Sequence, residues 1–287
     1  MAYFLVSTEH LENRLWFRDD QDYNTGMNFV AIVANSVRVN VLAFILMSNH
    51  VHFVLSCEEE EALLFITRFK GCYSRYVWDK YGEKDFLRRN PVDIKHLDAD
   101  NESLERAIAY VLMNPVAANI CQHPVLYPWG TGDAYFNETP VKGTKICQLS
   151  DRARRRILHS KKEIQKSCIL GEEGYILPRS YVDTAFVESL YKTPKRMNFF
   201  LMSSSKAQQR LERKAIPSFR DQSLLNASLD LCRTLFRRNS PKELTTEQIV
   251  LLLREMRWRF SADINQLSRI LGLTYKDAAK LFETPNI

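Results

Sequence analysis

Val41-Leu42-Ala43-Phe44-Ile45-Leu46-Met47-Ser48-Asn49-His50-Val51-His52-Phe53-Val54-Leu55 is the stretch on which the fold turns. Apolar residues run unbroken to Met47, Ser48-Asn49 interrupts them, and they resume at Phe53. The pattern predicts two short buried strands joined by a tight Ser-Asn turn. Residues two apart on a strand share a face. His50 and His52 therefore project together, with Val51 between them pointing the other way. Two neutral imidazoles on one face can hold a divalent cation. Two half-buried histidines with ordinary hydrogen-bond partners would read the same way.

The flanking elements set the fold class. Tyr3–Ser7 is predicted as a strand. Asp19-Asp20 is an acidic helix start leading into Tyr23–Val37, which Gly26 weakens. Val39–Leu46 and His52–Leu55 are the hairpin strands. Glu58–Glu61 suits the positive N-terminal end of a helix. That helix carries Leu63, Leu64, Ile66, Phe69, Tyr73, Tyr76, Val77 and Tyr81 at three- and four-residue intervals, with Gly82 as its stop. Val92–Leu97 is a fourth strand and Glu102–Asn114 a third helix. The order β-α-β-β-α-β-α, with one direct hairpin, predicts an α+β domain. An antiparallel sheet with helices on one face, of the ferredoxin-like kind, matches it.

Composition bounds the rest. The chain has 287 residues, 45% hydrophobic and 26% charged, which suits two globular domains. No apolar run approaches the ~20 residues of a membrane span. The first residues, Met1-Ala2-Tyr3-Phe4-Leu5-Val6, read as a strand and not as a signal peptide. Six scattered cysteines (57, 72, 121, 147, 168 and 232) form no C-x-x-C, which argues for reduced thiols in a cytoplasm and against a zinc ribbon.

Charge divides the chain unevenly. Residues 1–136 sum to −6 and the remainder to +12. A basic second half is the footprint of a nucleic-acid contact, although basic helices are often merely solvated. Residues 1–136 are expected as one domain and 137–175 as a basic linker carrying Arg152-Ala153-Arg154-Arg155-Arg156 and Lys161-Lys162. Residues 176–287 are expected as a helical domain. Within it, Asp263–Leu271, Gly272 and Thr274–Phe282 read as helix-turn-helix, with Thr274 as a cap and Lys276 and Lys280 on the second helix.

Tyr110 and Asn114 stand four apart on the third helix, hence on one face, and Pro115 marks a boundary or kink there. A carboxamide oxygen is a suitable third ligand for a hard divalent ion beside two imidazoles.

Four segments, in order, resemble the single-tyrosine HUH transposases, nearest the REP-associated tyrosine transposase branch. Met47–Leu55 resembles the M-P-N-H-x-H-hydrophobic signature. Ala109–Ala118 resembles R-Y-I-H-L-N-P-V-R-A. Asn13–Asp20 resembles N-R-x-x-F-x-D-D, and Tyr127-Pro128-Trp129 with Ala134-Tyr135 resembles Y-P-W-S-S-Y. The resemblance covers residues 1–136 and implies a ferredoxin-like HUH domain, often a homodimer. It implies His50, His52 and Asn114 as ligands of Mg²⁺ or Mn²⁺ and Tyr110 as nucleophile. The implied substrate is single-stranded DNA, often beside a hairpin, cut and rejoined through a 5′-phosphotyrosine. Arg14, Arg68, Lys70, Arg75, Lys276 and Lys280 are the expected DNA contacts.

Three features depart from the pattern. Ser48 replaces the common proline, Glu9, His10 and Glu12 stand where glycine and basic residues are usual, and the catalytic half is acidic. A relative that binds hairpins without cutting is the competing expectation. A metal-dependent hydrolase of small molecules is a more distant one.

Overall fold

The computed structural model describes residues 2–8, 14–98, 100–160, 162–205, 219–260 and 262–283. Glu9, His10, Glu12, Asn13 and Lys161, each named above, lie outside the described residues. Four strands, β1 (Ala2–Thr8), β2 (Asn40–Met47), β3 (His50–Cys57) and β4 (Val92–Leu97), form one sheet in the order β2-β3-β1-β4. Every pairing in it is antiparallel. The first two helices are α1 (Asp20–Ser36) and α2 (Glu59–Tyr81). They are followed by α3 (Asn101–Leu112) and the single turn α4 (Asn114–Ala117). The fold is α+β, as the sequence predicts, with a helical C-terminal part.

Local chemistry explains the boundaries. Asp19 caps α1, its Oδ1 accepting from the Asp22 amide at 2.8 Å. Glu58 and Glu61 form a capping box at the start of α2. Gly82 ends α2 at φ 71°, a conformation that favours glycine. Gly26, which weakens α1 on propensity, is needed for packing: a Cβ there would stand 2.6 Å from a ring carbon of Phe17.

The sheet is covered on both faces, which corrects the expectation of helices on one face. Phe53 meets Phe65 and Phe69 of α2 at 5.1 and 5.5 Å between ring centroids. Its neighbour His52 points the opposite way and meets Tyr110 of α3 at 5.7 Å. Burial on both sides is why β2 and β3 are inward-facing along almost their whole length. The segment 129–131 closes the free edge of β2, with Leu46 N donating to Trp129 O at 2.9 Å and Thr131 N to Phe44 O at 3.1 Å.

Residues beyond 136 add to this core. Ile146, Leu158, Ile176, Tyr191 and Leu201 are buried in it. Helices α5 (Asp151–Leu158), α6 (Thr184–Tyr191) and α7 (Pro194–Ser203) lie here, and α6 and α7 pack against α3. A two-residue pairing of β5 (Thr144–Lys145) with β6 (Ile169–Leu170) lies between α4 and α6. A second core gathers Leu224, Leu231, Leu252, Leu253, Met256, Leu267 and Ile270. These residues come from α8 (Asp221–Phe236), α9 (Thr246–Phe260) and α10 (Ile264–Leu271). Gly272, at φ 68°, joins α10 to α11 (Tyr275–Glu283), and Thr274 caps α11 by accepting from Asp277 N at 3.1 Å. Among the described residues no helix is long and apolar enough to cross a membrane.

The cores are rich in buried tyrosines. Burial pushes the phenols of Tyr23, Tyr73, Tyr127, Tyr135, Tyr181 and Tyr191 upward. In the unfolded chain a tyrosine ionises near ~10, so above that pH the unfolded state binds fewer protons than the folded one. Stability is therefore complete below about pH 10 and falls as pH rises beyond it. The urea midpoint is expected to be level from pH 8 to 9.5 and to drop steeply by pH 11.

Candidate nuclease site

The site is built at the turn between β2 and β3. That turn is held from outside: Ser48 O accepts from Trp16 N at 2.7 Å and from Phe17 N at 3.3 Å. His50 opens β3, and His52 follows on the same face, both 5% exposed. Their rings lie 4.9 Å apart, nearly perpendicular. Each Nδ1 has a polar neighbour, Asn49 Oδ1 at 2.9 Å for His50 and Ser7 Oγ at 2.8 Å for His52. An acceptor on Nδ1–H makes Nε2 the lone-pair nitrogen of a neutral imidazole, the tautomer that binds metals. Asn49 is such an acceptor, and the Ser7 hydroxyl can serve as one. Ser7 is placed by register, directly opposite His52 across β1 and β3.

Tyr110 reaches this face from α3, its ring edge-on to His52. Burial raises the phenol above its ordinary value, so at neutral pH it carries its proton. Asn114 is buried one turn further on. Its Nδ2 donates to Tyr110 O and Val111 O, both at 3.0 Å. Pro115 has no N–H for the Val111 carbonyl, and the Asn114 amide takes that place. α3 therefore ends at Leu112 and a new turn starts at Asn114, where the sequence predicts continuous helix through 114. With its amide hydrogens turned to the helix end, the carboxamide oxygen is the group left to act as a ligand.

Two imidazole nitrogens with an amide oxygen suit a hard or borderline divalent ion. Among the described residues no group of three or more His, Cys, Asp or Glu side chains is placed for a metal. Asn114 carries a carboxamide oxygen, a donor of another type.

The expected DNA contacts are dispersed. Arg14 lies exposed, its guanidinium 5.9 Å from the Phe86 ring centroid. Lys70 donates to Asn90 O, and burial lowers its pKa. Arg68 donates to Ser36 O at 2.8 Å. Arg68 and Arg75 line a cleft of about 1040 Å³ with Lys80, Arg155 and Lys162. This cleft lies beside α2, away from the face that carries His52 and Tyr110. Lys276 and Lys280 are exposed on α11.

One group near the turn has no signal in the sequence. Asp221, the first residue of α8, is 4% exposed, and its Oδ2 accepts from Ser48 Oγ at 2.5 Å. Beside it Gln222 Nε2 donates to Phe17 O at 2.6 Å, and Arg220 lies 4.7 Å from the Trp129 ring centroid. A partner 173 residues away is invisible to local pattern. The only hint is Ser48 itself, a hydroxyl where the resembled pattern has proline.

Residues 6–90 match the family described as IS200-like transposases. No curated protein matches the chain. A solved structure of the REP-associated tyrosine transposase bound to a REP hairpin is similar, at 12% identity and a TM-score of 0.35. The match covers 45% of this chain and 76% of that one. The matched residues 6–90, which carry both histidines and the strands that hold them, are where this chain is similar to the IS200-like transposases.

Proposed function

We propose that the chain cleaves and rejoins single-stranded DNA beside a hairpin, with Tyr110 as nucleophile and His50, His52 and Asn114 holding Mg²⁺ or Mn²⁺. The observation that carries this reading is the 5.7 Å contact between His52 and Tyr110, brought together from a strand and a helix far apart in sequence. An ion held by His50, His52 and Asn114 would polarise the scissile phosphate and offset its developing charge. The Tyr110 oxygen attacks phosphorus, the new O–P bond replaces the bond to the 3′ oxygen, and that oxygen leaves with the phenol's proton. The phosphotyrosine keeps the linkage energy, so a second 3′ hydroxyl can reverse the step and complete strand transfer without ATP. Partial burial of Tyr110 limits attack by water on the ester.

The test is an oligonucleotide hairpin with a single-stranded flank, incubated with Mn²⁺ and run on a denaturing gel. An adduct that EDTA prevents, and that His50→Ala with His52→Ala removes, supports cleavage. Tight hairpin binding without an adduct favours the binding-only reading. The homodimer and a cytoplasmic location belong to the same proposal.

DNA holding is assigned to cations away from the face that carries His52 and Tyr110. Arg68, Arg75, Arg155 and Lys162 border the cleft beside α2 and none is in an ion pair among the described residues. Each phosphate contact contributes about one unit to the slope of log K against log salt. Arg75→Ala with Arg155→Ala is expected to flatten that slope by about 2, read by fluorescence anisotropy between 50 and 200 mM salt. An unchanged slope would place the contact elsewhere.

A further inference from the structure

The Asp221 carboxylate is buried and has four donors around it. Ser48 Oγ donates at 2.5 Å, Gln266 Nε2 at 3.1 Å, and Arg269 through Nε at 2.9 Å and Nη2 at 3.2 Å. The side chains of Asp221 and Arg269 are 3% and 17% exposed. A buried ion pair adds little net stability compared with apolar packing of the same volume, so holding α8 in place does not require one. What the pair does provide is geometry. Its donors come from separate elements: the β2–β3 turn and helix α10.

The turn it grips is the one that sets the site. A hairpin's register is fixed at its turn, and a slip of one residue would carry every side chain to the opposite face. His50 and His52 would then face α2 and not Tyr110. Ser48 is secured at two points, its carbonyl by the 14–18 loop and its hydroxyl by Asp221. Gln222 holds the same loop through Phe17 O. On its other side Asp221 is clamped by α10, the first member of the helix pair that presents Lys276 and Lys280 on α11. Displacement of α10 moves Arg269 and Gln266, and through them the carboxylate on which Ser48 rests.

We propose that Asp221 is a positioning residue for the His50/His52 site, holding the Ser48–Asn49 turn and making that hold depend on the α10–α11 pair. This rests on the metal-site reading above. It gives the departure at Ser48 a role: the hydroxyl receives a tether from the helical part of the chain that a proline could not.

The test uses the full chain and two readouts, Mn²⁺ affinity by calorimetry and hydrogen exchange of the peptide spanning residues 46–57. Ser48→Ala leaves Asp221 with Gln266 and Arg269, so the helical part stays folded, which thermal melting checks. Ser48→Ala loosens the turn that carries Asn49, the polar neighbour of His50, and is expected to weaken Mn²⁺ binding by up to about 10-fold and to speed exchange at the turn. Ser48→Thr keeps the donor and should restore both to within twofold of wild type. Arg269→Gln, on a different helix, should shift both readouts in the same direction as Ser48→Ala. Wild-type affinity and exchange in Ser48→Ala and Arg269→Gln would overturn the proposal. If the wild-type chain binds no Mn²⁺, the metal reading fails, and exchange at the turn still decides whether the tether exists.

Discussion

Tyr110→Phe is expected to lower covalent adduct formation by at least about a thousandfold while leaving Mn²⁺ affinity within twofold of wild type. The substitution removes one oxygen from a half-buried ring and keeps its contact with His52. The side chains proposed to hold the metal ion and the DNA are untouched, so hairpin affinity should hold as well. Loss of adduct together with loss of metal binding would instead mean that the phenol supports the site's structure. The wild-type rate should climb with pH through the neutral range with no plateau below about 10, because burial holds the phenol above its ordinary value. The rate is read by quenching into denaturant at intervals between pH 6 and 9.5.

Asp22→Ala is expected to have the largest effect on stability, about 3–5 kcal/mol by urea denaturation. The Asp22 side chain is fully buried. It accepts from Tyr76 Oη, Tyr81 Oη and Lys80 Nζ, each at 2.8 Å, and from Arg18 N at 2.7 Å. Burial alone would lower the pKa of Lys80, but its bonds to Asp19 and Asp22 outweigh this and hold it above its ordinary value. Alanine leaves the ammonium and two phenols short of a partner at the joint between α1 and α2. The same joint supports the site, because Tyr73 Oη of α2 donates to Trp16 O at 2.5 Å and Trp16 N in turn holds the Ser48 carbonyl. Asp22→Asn keeps an acceptor and should recover part of the loss.

The hairpin was legible because its signal is local. An apolar run, a polar dipeptide and a second run suffice to place two strands, and alternation puts both histidines on one face. Gly82 and Asp19 mark helix ends for equally local reasons. The unbroken run Val41–Met47 also carries the signature of a strand buried on both faces, which the reading of helices on one face passed over. The end of α3 was legible only in part. Pro115 announces a break, but the Asn114 amide substituting for its missing N–H depends on a side-chain rotamer. Lys70 reads as a free cation in the sequence, whereas a distant loop supplies the carbonyl that engages it. Asp221 shows the limit most clearly. Nothing within its own helix indicates that it will be buried beneath a turn 173 residues earlier in the chain.

The most direct measurement is tandem mass spectrometry of the peptide left on the oligonucleotide after the Mn²⁺ reaction and proteolysis. A 5′-phosphate joined to Tyr110, formed only with the divalent ion present, is the predicted result. A stable link at any other residue, or strand cleavage with no peptide attached, would contradict the assignment of Tyr110 and the histidine pair to one site.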